Sequence, residues 1–277
     1  MLRKALIPLS FREKSEKLEA LCALLWGLGI REVVLLHVGS VSRGQGRQSQ
    51  RRLESVAESV RAQGLTVETA LRAGSVQMGV VETATERECD AIAFAFKKKS
   101  LLRRAIMGST VKDVIRQSDI PIFVYKEQPP WRRSDETFRV MYATSLQWGD
   151  DIILSYIRDK WFQADEIIFV HVGRRAPDPF VENQRRDRVE EQLRELRENC
   201  GLGESDSRQM AVLGSARRQI VKAARRIPAD LVLLGKADSV IGLAPVLGST
   251  TEEVSYNVGC SVLIIPRDVE NSRGGKA

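Results

Sequence analysis

The feature that most constrains the fold of this 277-residue chain is an internal repeat. The tripeptide Gly-Ser-Thr occurs at 108–110 and again at 248–250, each time after an apolar pair and before a helix-like pattern. Five other blocks recur in the same order, among them EVVLLHVG and EIIFVHVG, which lie 134 residues apart. A repeat of this length predicts two copies of one domain, at residues 1–130 and 136–270, joined by the connector EQPPWRRSDET.

Short apolar runs rich in Val and Ile alternate with helix-length segments in each copy. In the first copy we predict strands at 5–9, 32–38, 66–72, 90–96 and 121–125. Runs that are apolar throughout are typical of parallel strands buried on both faces of a sheet. The sequence therefore predicts an α/β fold of two tandem, doubly wound domains. In such sheets ligands bind beyond the carboxyl ends of the strands, where the strand order reverses.

Composition argues against several classes of protein and site. The chain has no run of about 18 apolar residues, so we expect no membrane partner. Four scattered cysteines without a CxxC pair predict reduced, buried thiols in a cytoplasmic protein, and two histidines are too few to favour a metal site. The net charge of +7 is uneven, because residues 1–133 carry 23 basic and 14 acidic side chains whereas 134–277 carry 20 and 22. We therefore expect attraction of anions mainly in the first copy.

Three segments carry a resemblance to a known family. They are HVG at the end of the second predicted strand, LRAGSVQMGVVETATERECDAIAFAF, and LLRRAIMGSTVKDVIRQSDIPIFVYK. Together they resemble the universal stress protein family in its tandem, two-domain form. The resemblance implies five parallel strands per copy in the order 3-2-1-4-5, flanked by helices. It also implies that the two copies pair as an intrachain pseudo-dimer, as the dimers of the family do.

The resemblance also implies a nucleotide site. Family members that bind ATP carry G-x2-G-x9-G-[S/T] after strand four and an acidic residue at the end of strand one. In the second copy Gly235, Asp238, Gly248 and Ser249 occupy the motif positions, and Ser145 stands where the acidic residue would be. The predicted nucleotide-binding residues are Ser145, Val172, Gly235, Asp238, Gly248, Ser249 and Thr250. Because the Asp238 carboxylate would repel phosphates by about 1 kcal/mol at ~4 Å in water, we expect weak or no binding of ATP (with Mg²⁺) or AMP here.

The first copy has lost more of the motif. Ala95 and Lys98 replace the first two glycines, and only Gly108 and Ser109 remain. The surrounding loop is strongly cationic, so this copy is predicted to bind a nucleotide or a phosphorylated metabolite by charge rather than by the fit of a glycine loop. The predicted anion-binding residues are Ser10, Val38, Lys97, Lys98, Arg103, Gly108, Ser109 and Thr110.

Structural explanations compete with these assignments. A Ser-Thr pair before a helix is a common N-cap, and capping alone could account for either Gly-Ser-Thr tripeptide. Ser10 and Glu13 have the spacing of a capping box, which favours a structural role for Ser10 over a contact with ligand.

No paired carboxylates, nucleophile with a base, or metal-ligand cluster recur at the predicted strand ends, so we expect no enzyme beyond slow ATP hydrolysis. The leading prediction is a non-enzymatic stress-response protein that senses or binds an adenine nucleotide or another anionic ligand. The main alternative is a nucleotide-independent scaffold for an unidentified protein, and a homodimer of tandem chains is a further candidate assembly. Nucleic-acid binding through the basic first copy is disfavoured, because aromatic residues form only 6% of the chain and do not interleave with its arginines.

Overall fold

A computed structural model describes most of the chain, in seven stretches. These are residues 2–39, 43–96, 109–126, 137–146, 150–236, 238–241 and 244–266. They divide into two compact units, within Met1–Trp131 and Arg132–Ala277. The finer limits of 1–130 and 136–270 stay a prediction.

The first unit alternates strands and helices from end to end. Its elements are β1 (Lys4–Pro8), α1 (Ser15–Gly27), β2 (Glu32–Val38), α2 (Arg43–Arg61), β3 (Thr66–Arg72), α3 (Val76–Glu86), β4 (Ala91–Phe96), α4 (Ser109–Gln117) and β5 (Ile122–Lys126). The strands pair in parallel in the order β3-β2-β1-β4-β5. This confirms the predicted order 3-2-1-4-5 for the first copy.

The second unit repeats this arrangement with one addition. Its elements are β6 (Arg139–Thr144), α5 (Asp150–Arg158), β7 (Glu166–Gly173), α6 (Pro179–Asn199), β8 (Ser207–Leu213), α7 (Ala216–Arg226), β9 (Leu231–Gly235), β10 (Asp238–Ile241), β11 (Ala244–Leu247), α8 (Ser249–Asn257) and β12 (Ser261–Ile265). The parallel strands follow the order β8-β7-β6-β9-β12, again as predicted. The addition is the antiparallel ribbon of β10 and β11, which the sequence analysis did not predict.

Burial on both faces explains why the strands read as uninterrupted apolar runs. Four consecutive residues of β2, at 33–36, are buried, and so are all five residues of β12. Helix α1 buries Leu18, Leu21 and Leu25, whose spacing of three and four residues places them on one face. In the part of the chain that the structure describes, no helix is both long and apolar enough to cross a bilayer.

The four cysteines are free and buried. Burial raises the pKa of Cys22 and Cys89 to about 12 and that of Cys200 to about 11. Since only the thiolate is nucleophilic, we expect iodoacetamide at about pH 8 to label the native protein far more slowly than the protein unfolded in guanidinium. Intact-mass spectrometry should show four adducts only after unfolding. Rapid labelling of Cys22 in the native protein would contradict the buried environment described here.

Candidate functional site

A cleft of about 820 Å³ opens at the carboxyl ends of β7 and β8 in the second unit. Its lining comes from the end of β7, the loops that follow β7 and β8, and the first turns of α7 and α8. The lining residues are Val172, Arg174, Arg175, Gly214, Ser215, Ala216, Arg217, Arg218, Ser249, Thr250 and Glu253. The cleft therefore lies at the edge of the sheet where a doubly wound fold binds ligands.

Two helices begin at this cleft without a side-chain cap. The N-cap of α7 is Ser215 and that of α8 is Gly248, and neither N-cap residue makes a side-chain capping hydrogen bond. The first backbone N–H groups of a helix have no partner within it, and the helix dipole makes this end positive. Two such ends that open on one cleft favour an anion.

The second Gly-Ser-Thr tripeptide is not a serine cap. Gly248 is the N-cap residue, and Ser249 and Thr250 are the first residues inside α8. The Ser249 hydroxyl accepts a hydrogen bond of 2.7 Å from Arg217 Nη2 of α7. The capping explanation is therefore wrong for this copy, and the serine instead connects the two helix starts.

Four arginines make the cleft strongly cationic. Arg174, Arg175, Arg217 and Arg218 are all exposed, and among the lining residues that the structure describes only Glu253 carries a carboxylate. Arg217 and Arg218 lie in the first turn of α7, where their charges oppose the positive end of the helix dipole at a cost of about 0.3–1 kcal/mol each. Their position lowers the stability of the helix but raises the affinity of the cleft for an anion.

The sequence analysis missed these arginines. The excess of acidic residues over 134–277 directed attention to the first copy, but that count hides where the basic residues are. The available signal was the segment ARRQIVKAARR, which has five basic residues and no acidic one.

The predicted residues of the second copy lie in several places around this cleft. Val172, Ser249 and Thr250 line it. Gly235 ends β9, and its carbonyl oxygen accepts a hydrogen bond of 3.0 Å from Thr251 Oγ1. Gly248 is the N-cap of α8, and Asp238 begins β10, where its backbone pairs with Leu247. Ser145 follows β6, is half-buried, and is not among the lining residues.

A buried carboxylate near the end of β6 was also missed. Asp150, the first residue of α5, is 6% exposed and accepts a hydrogen bond from Thr144 Oγ1. The same hydroxyl accepts from the backbone N–H of Leu146 at 2.9 Å, and Leu146 has a left-handed φ of 55°. Asp150 therefore holds the Thr144 hydroxyl at the end of β6, and it lies five residues after Ser145, the position where the family pattern has its acidic residue.

His171 lies on the face of the sheet opposite to Val172, because side chains alternate along β7. Its Nδ1 lies 3.2 Å from the carbonyl oxygen of Thr144, and because a carbonyl only accepts, this nitrogen carries the proton. Burial lowers the pKa of His171, so the ring is neutral near pH 7. This histidine is a satisfied structural residue at the end of β7.

The loop that carries Arg174 and Arg175 is held by the start of α6. Arg185 Nη1 donates to the carbonyl oxygen of Arg174 at 2.6 Å, and the Glu182 carboxylate accepts from the backbone N–H of Ala176 at 2.5 Å. The Asp178 side chain caps α6 by accepting from the backbone N–H groups of residues 180 and 181. These bonds give the two cleft arginines a defined backbone position.

The predicted site of the first copy is only partly visible. Its members at 97, 98, 103 and 108 lie outside the described residues. Ser109 is the exposed first residue of α4, and Thr110 follows it. Val38 ends β2 and faces α3, since a Cβ built on Gly79 would lie 3.0 Å from Val38 Cγ2.

The capping-box prediction at Ser10 is wrong. Helix α1 begins at Ser15 with Lys14 as its N-cap, four residues later than a helix capped by Ser10 would require. Glu13 does reach back to the Ser10 backbone N–H, but the Ser10 hydroxyl donates to the same carboxylate at 2.6 Å. Between them Phe11 adopts a left-handed φ of 61°, and its ring stacks on His37 with centroids 4.1 Å apart. The Ser10–Glu13 pair thus closes a tight turn before the helix.

The sequence model of the universal stress protein family matches residues 1–126 and 160–266, which together make up most of the chain. The chain belongs to the universal stress protein family. The two matches confirm the tandem, two-domain form. The second match begins after β6 and α5, although β6 occupies the same place in its sheet as β1 does in the first unit of this universal stress protein.

Solved structures share the fold over almost the whole chain. A universal stress protein from Archaeoglobus fulgidus is 20% identical with a TM-score of 0.75, covering 96% of this chain and 99% of that one. A protein of unknown function from Pseudomonas aeruginosa is 17% identical with a TM-score of 0.72, covering 97% and 94%. No curated protein sequence matches this chain significantly. These likenesses at low identity show the tandem stress-protein fold and leave the ligand to be argued from the residues.

Proposed function

We propose that this universal stress protein acts in stress response without catalysis, by binding an adenine nucleotide or a related phosphorylated ligand in the cleft of the second unit. The observation that carries the proposal is the meeting of two uncapped helix starts and four arginines around Ser249 and Thr250. Helix amino ends and guanidinium groups are the two features that proteins most often use to hold phosphate.

The residues that line the cleft suggest where the phosphates and the base of a nucleotide would bind. The phosphates would meet the amino ends of α7 and α8 together with Arg217 and Arg218. The base would lie toward Val172, which supplies apolar surface at the end of β7. At about 820 Å³ the cleft has the size of sites that enclose small ligands. The predicted repulsion by Asp238 would then be opposed by four positive charges.

The proposed site lies in the second unit, whereas the distribution of charge along the sequence favoured the first copy. The basic first copy was expected to be the stronger anion site, but half of its candidate residues lie outside the described part of the chain. In the second unit, by contrast, the residues that would hold phosphate are brought together around one cleft. We therefore place the primary site in the second unit and keep anion binding by the first copy as a separate proposal.

Calorimetric titration with ATP, AMP and cyclic AMP, each with and without Mg²⁺, tests the proposed function. We expect binding at one main site that weakens as salt is raised, because exposed charges provide much of the attraction. Inorganic sulfate at matched ionic strength is the control for binding of any anion. If none of the nucleotides binds in preference to sulfate, the proposal is overturned and the nucleotide-independent scaffold becomes the better reading.

A further inference from the structure

Helix α7 carries more positive charge than the nucleotide site uses. Its 11 residues include five basic side chains and no acidic one, and two of the five, Arg217 and Arg218, line the cleft. The other three are Lys222, Arg225 and Arg226, which are exposed and lie outside the cleft. The opposite face of the helix is buried through Ile220, Ala223 and Ala224. We call Arg218, Lys222, Arg225 and Arg226 the cationic stripe.

The basic residues of the cationic stripe differ from those of α6 in their ion pairing. On α6, Arg186 pairs with Glu190 at 2.9 Å, and Arg194 pairs with Glu191 and Glu198. Within the described ranges, no carboxylate lies within salt-bridge distance of any member of the cationic stripe. Three arginines of α6, Arg186, Arg194 and Arg197, are thus paired with carboxylates, whereas the cationic stripe on α7 is available to an external anion.

The spacing of the stripe fits a chain of negative charges. Residues 218, 222 and 225 are four and three positions apart, so they fall on one face of the helix and span about 10 Å of its axis. One end of this row is Arg218, which lines the cleft, so the row begins at the cleft and continues along α7. Arg225 and Arg226 lie in the last turn, where the helix dipole favours them, but Arg218 and Lys222 have no such explanation.

We propose that the cationic stripe and the cleft edge together bind nucleic acid through its sugar–phosphate backbone. A row of unpaired cations matches successive phosphates, and contacts of this kind do not depend on sequence.

This inference shares Arg218 with the proposed nucleotide site but can be tested separately, because Lys222, Arg225 and Arg226 do not line the cleft. Fluorescence anisotropy with a labelled oligo-dT of about 20 nucleotides, at salt concentrations from about 50 to 200 mM, measures the binding and its salt dependence. We expect the triple variant Lys222→Gln, Arg225→Gln, Arg226→Gln to bind at least about tenfold more weakly at the lowest salt. The slope of log affinity against log salt should fall by about 2, because each lost phosphate contact contributes about 0.7.

A matched variant on α6, Arg186→Gln with Arg194→Gln, removes exposed arginines that are already paired and should leave the affinity and the slope unchanged. Circular dichroism and calorimetric titration with ATP would show that each variant is folded and that its cleft is intact. A triple variant that keeps its affinity for ATP but loses the oligonucleotide would support this inference independently of the nucleotide proposal.

Three results would overturn the inference. The first is an oligonucleotide that does not bind, or whose affinity does not depend on salt. The second is an equal loss in the α6 and α7 variants, which would point to a general effect of net charge. The third is tight binding of inorganic polyphosphate or of phosphatidylserine vesicles with no binding of oligo-dT, which would identify a different polyanion as the partner.

Discussion

Replacing Arg217 and Arg218 with alanine is expected to weaken the binding of ATP by about two orders of magnitude without lowering the stability of the protein. A hydrogen bond to a charged group contributes about 1.5–3 kcal/mol, and the double variant removes two candidate donors to phosphate. Arg217 also bonds to Ser249 at 2.7 Å, so the variant releases the hydroxyl at the start of α8. Calorimetric titration gives the change in affinity.

The expected lack of any loss of stability is the more unusual part of this prediction. Most substitutions destabilise a protein, but these two arginines lie in the first turn of α7, where positive charge opposes the helix dipole. Their removal should leave the melting temperature unchanged or slightly higher. Affinity and stability should therefore move independently, as expected for residues that serve a ligand rather than the fold.

Arg225→Ala with Arg226→Ala is the matched control. These arginines belong to the same helix but lie in its last turn, where positive charge is favourable. This control should lower stability slightly and leave the affinity for ATP within about twofold of the original, since neither residue lines the cleft. An unchanged affinity for ATP in the first double variant would show that the arginine cleft is not the nucleotide site.

The strands were predictable because their apolar runs have one physical cause. A strand covered on both faces must be apolar at successive positions, as at 33–36 in β2, so its place in the sequence is evident. The strand order within each sheet came from the resemblance to the family, because spacing along the chain does not determine which strands are neighbours. The ribbon of β10 and β11 was missed because 238–247 had been assigned to a loop motif that contains Gly242 and Pro245.

The candidate site was less predictable than the fold. Motif positions located Ser249 and Thr250, but the cleft also depends on residues from the loops after β7 and β8. Helix α6 is rich in both arginine and glutamate, whereas the charged residues of α7 are all basic. The net charge of the whole copy therefore did not reveal the basic helix α7. Asp150 was missed because only its burial, and not its position in the sequence, sets it apart from other acidic residues.

A pair of core substitutions in equivalent strands is expected to give the largest changes in stability. Phe169 in β7 and Leu35 in β2 lie 134 residues apart, at matching places in the repeat, and both are fully buried. Phe169 packs edge-to-face against Tyr142 with ring centroids 6.0 Å apart. Replacing a buried phenylalanine by alanine costs about 3–5 kcal/mol, and replacing a buried leucine costs about 2–5 kcal/mol.

The two variants also test the predicted domain limits. If 1–130 and 136–270 are separate folding units, Phe169→Ala should accelerate amide hydrogen exchange throughout 136–270 and leave 1–130 unchanged. Leu35→Ala should accelerate exchange throughout 1–130 and leave 136–270 unchanged, so each variant serves as the control for the other. Faster exchange in both regions with both variants would mean that the repeats unfold as one cooperative body. The duplication visible in the sequence would then mark the ancestry of the chain rather than its units of folding.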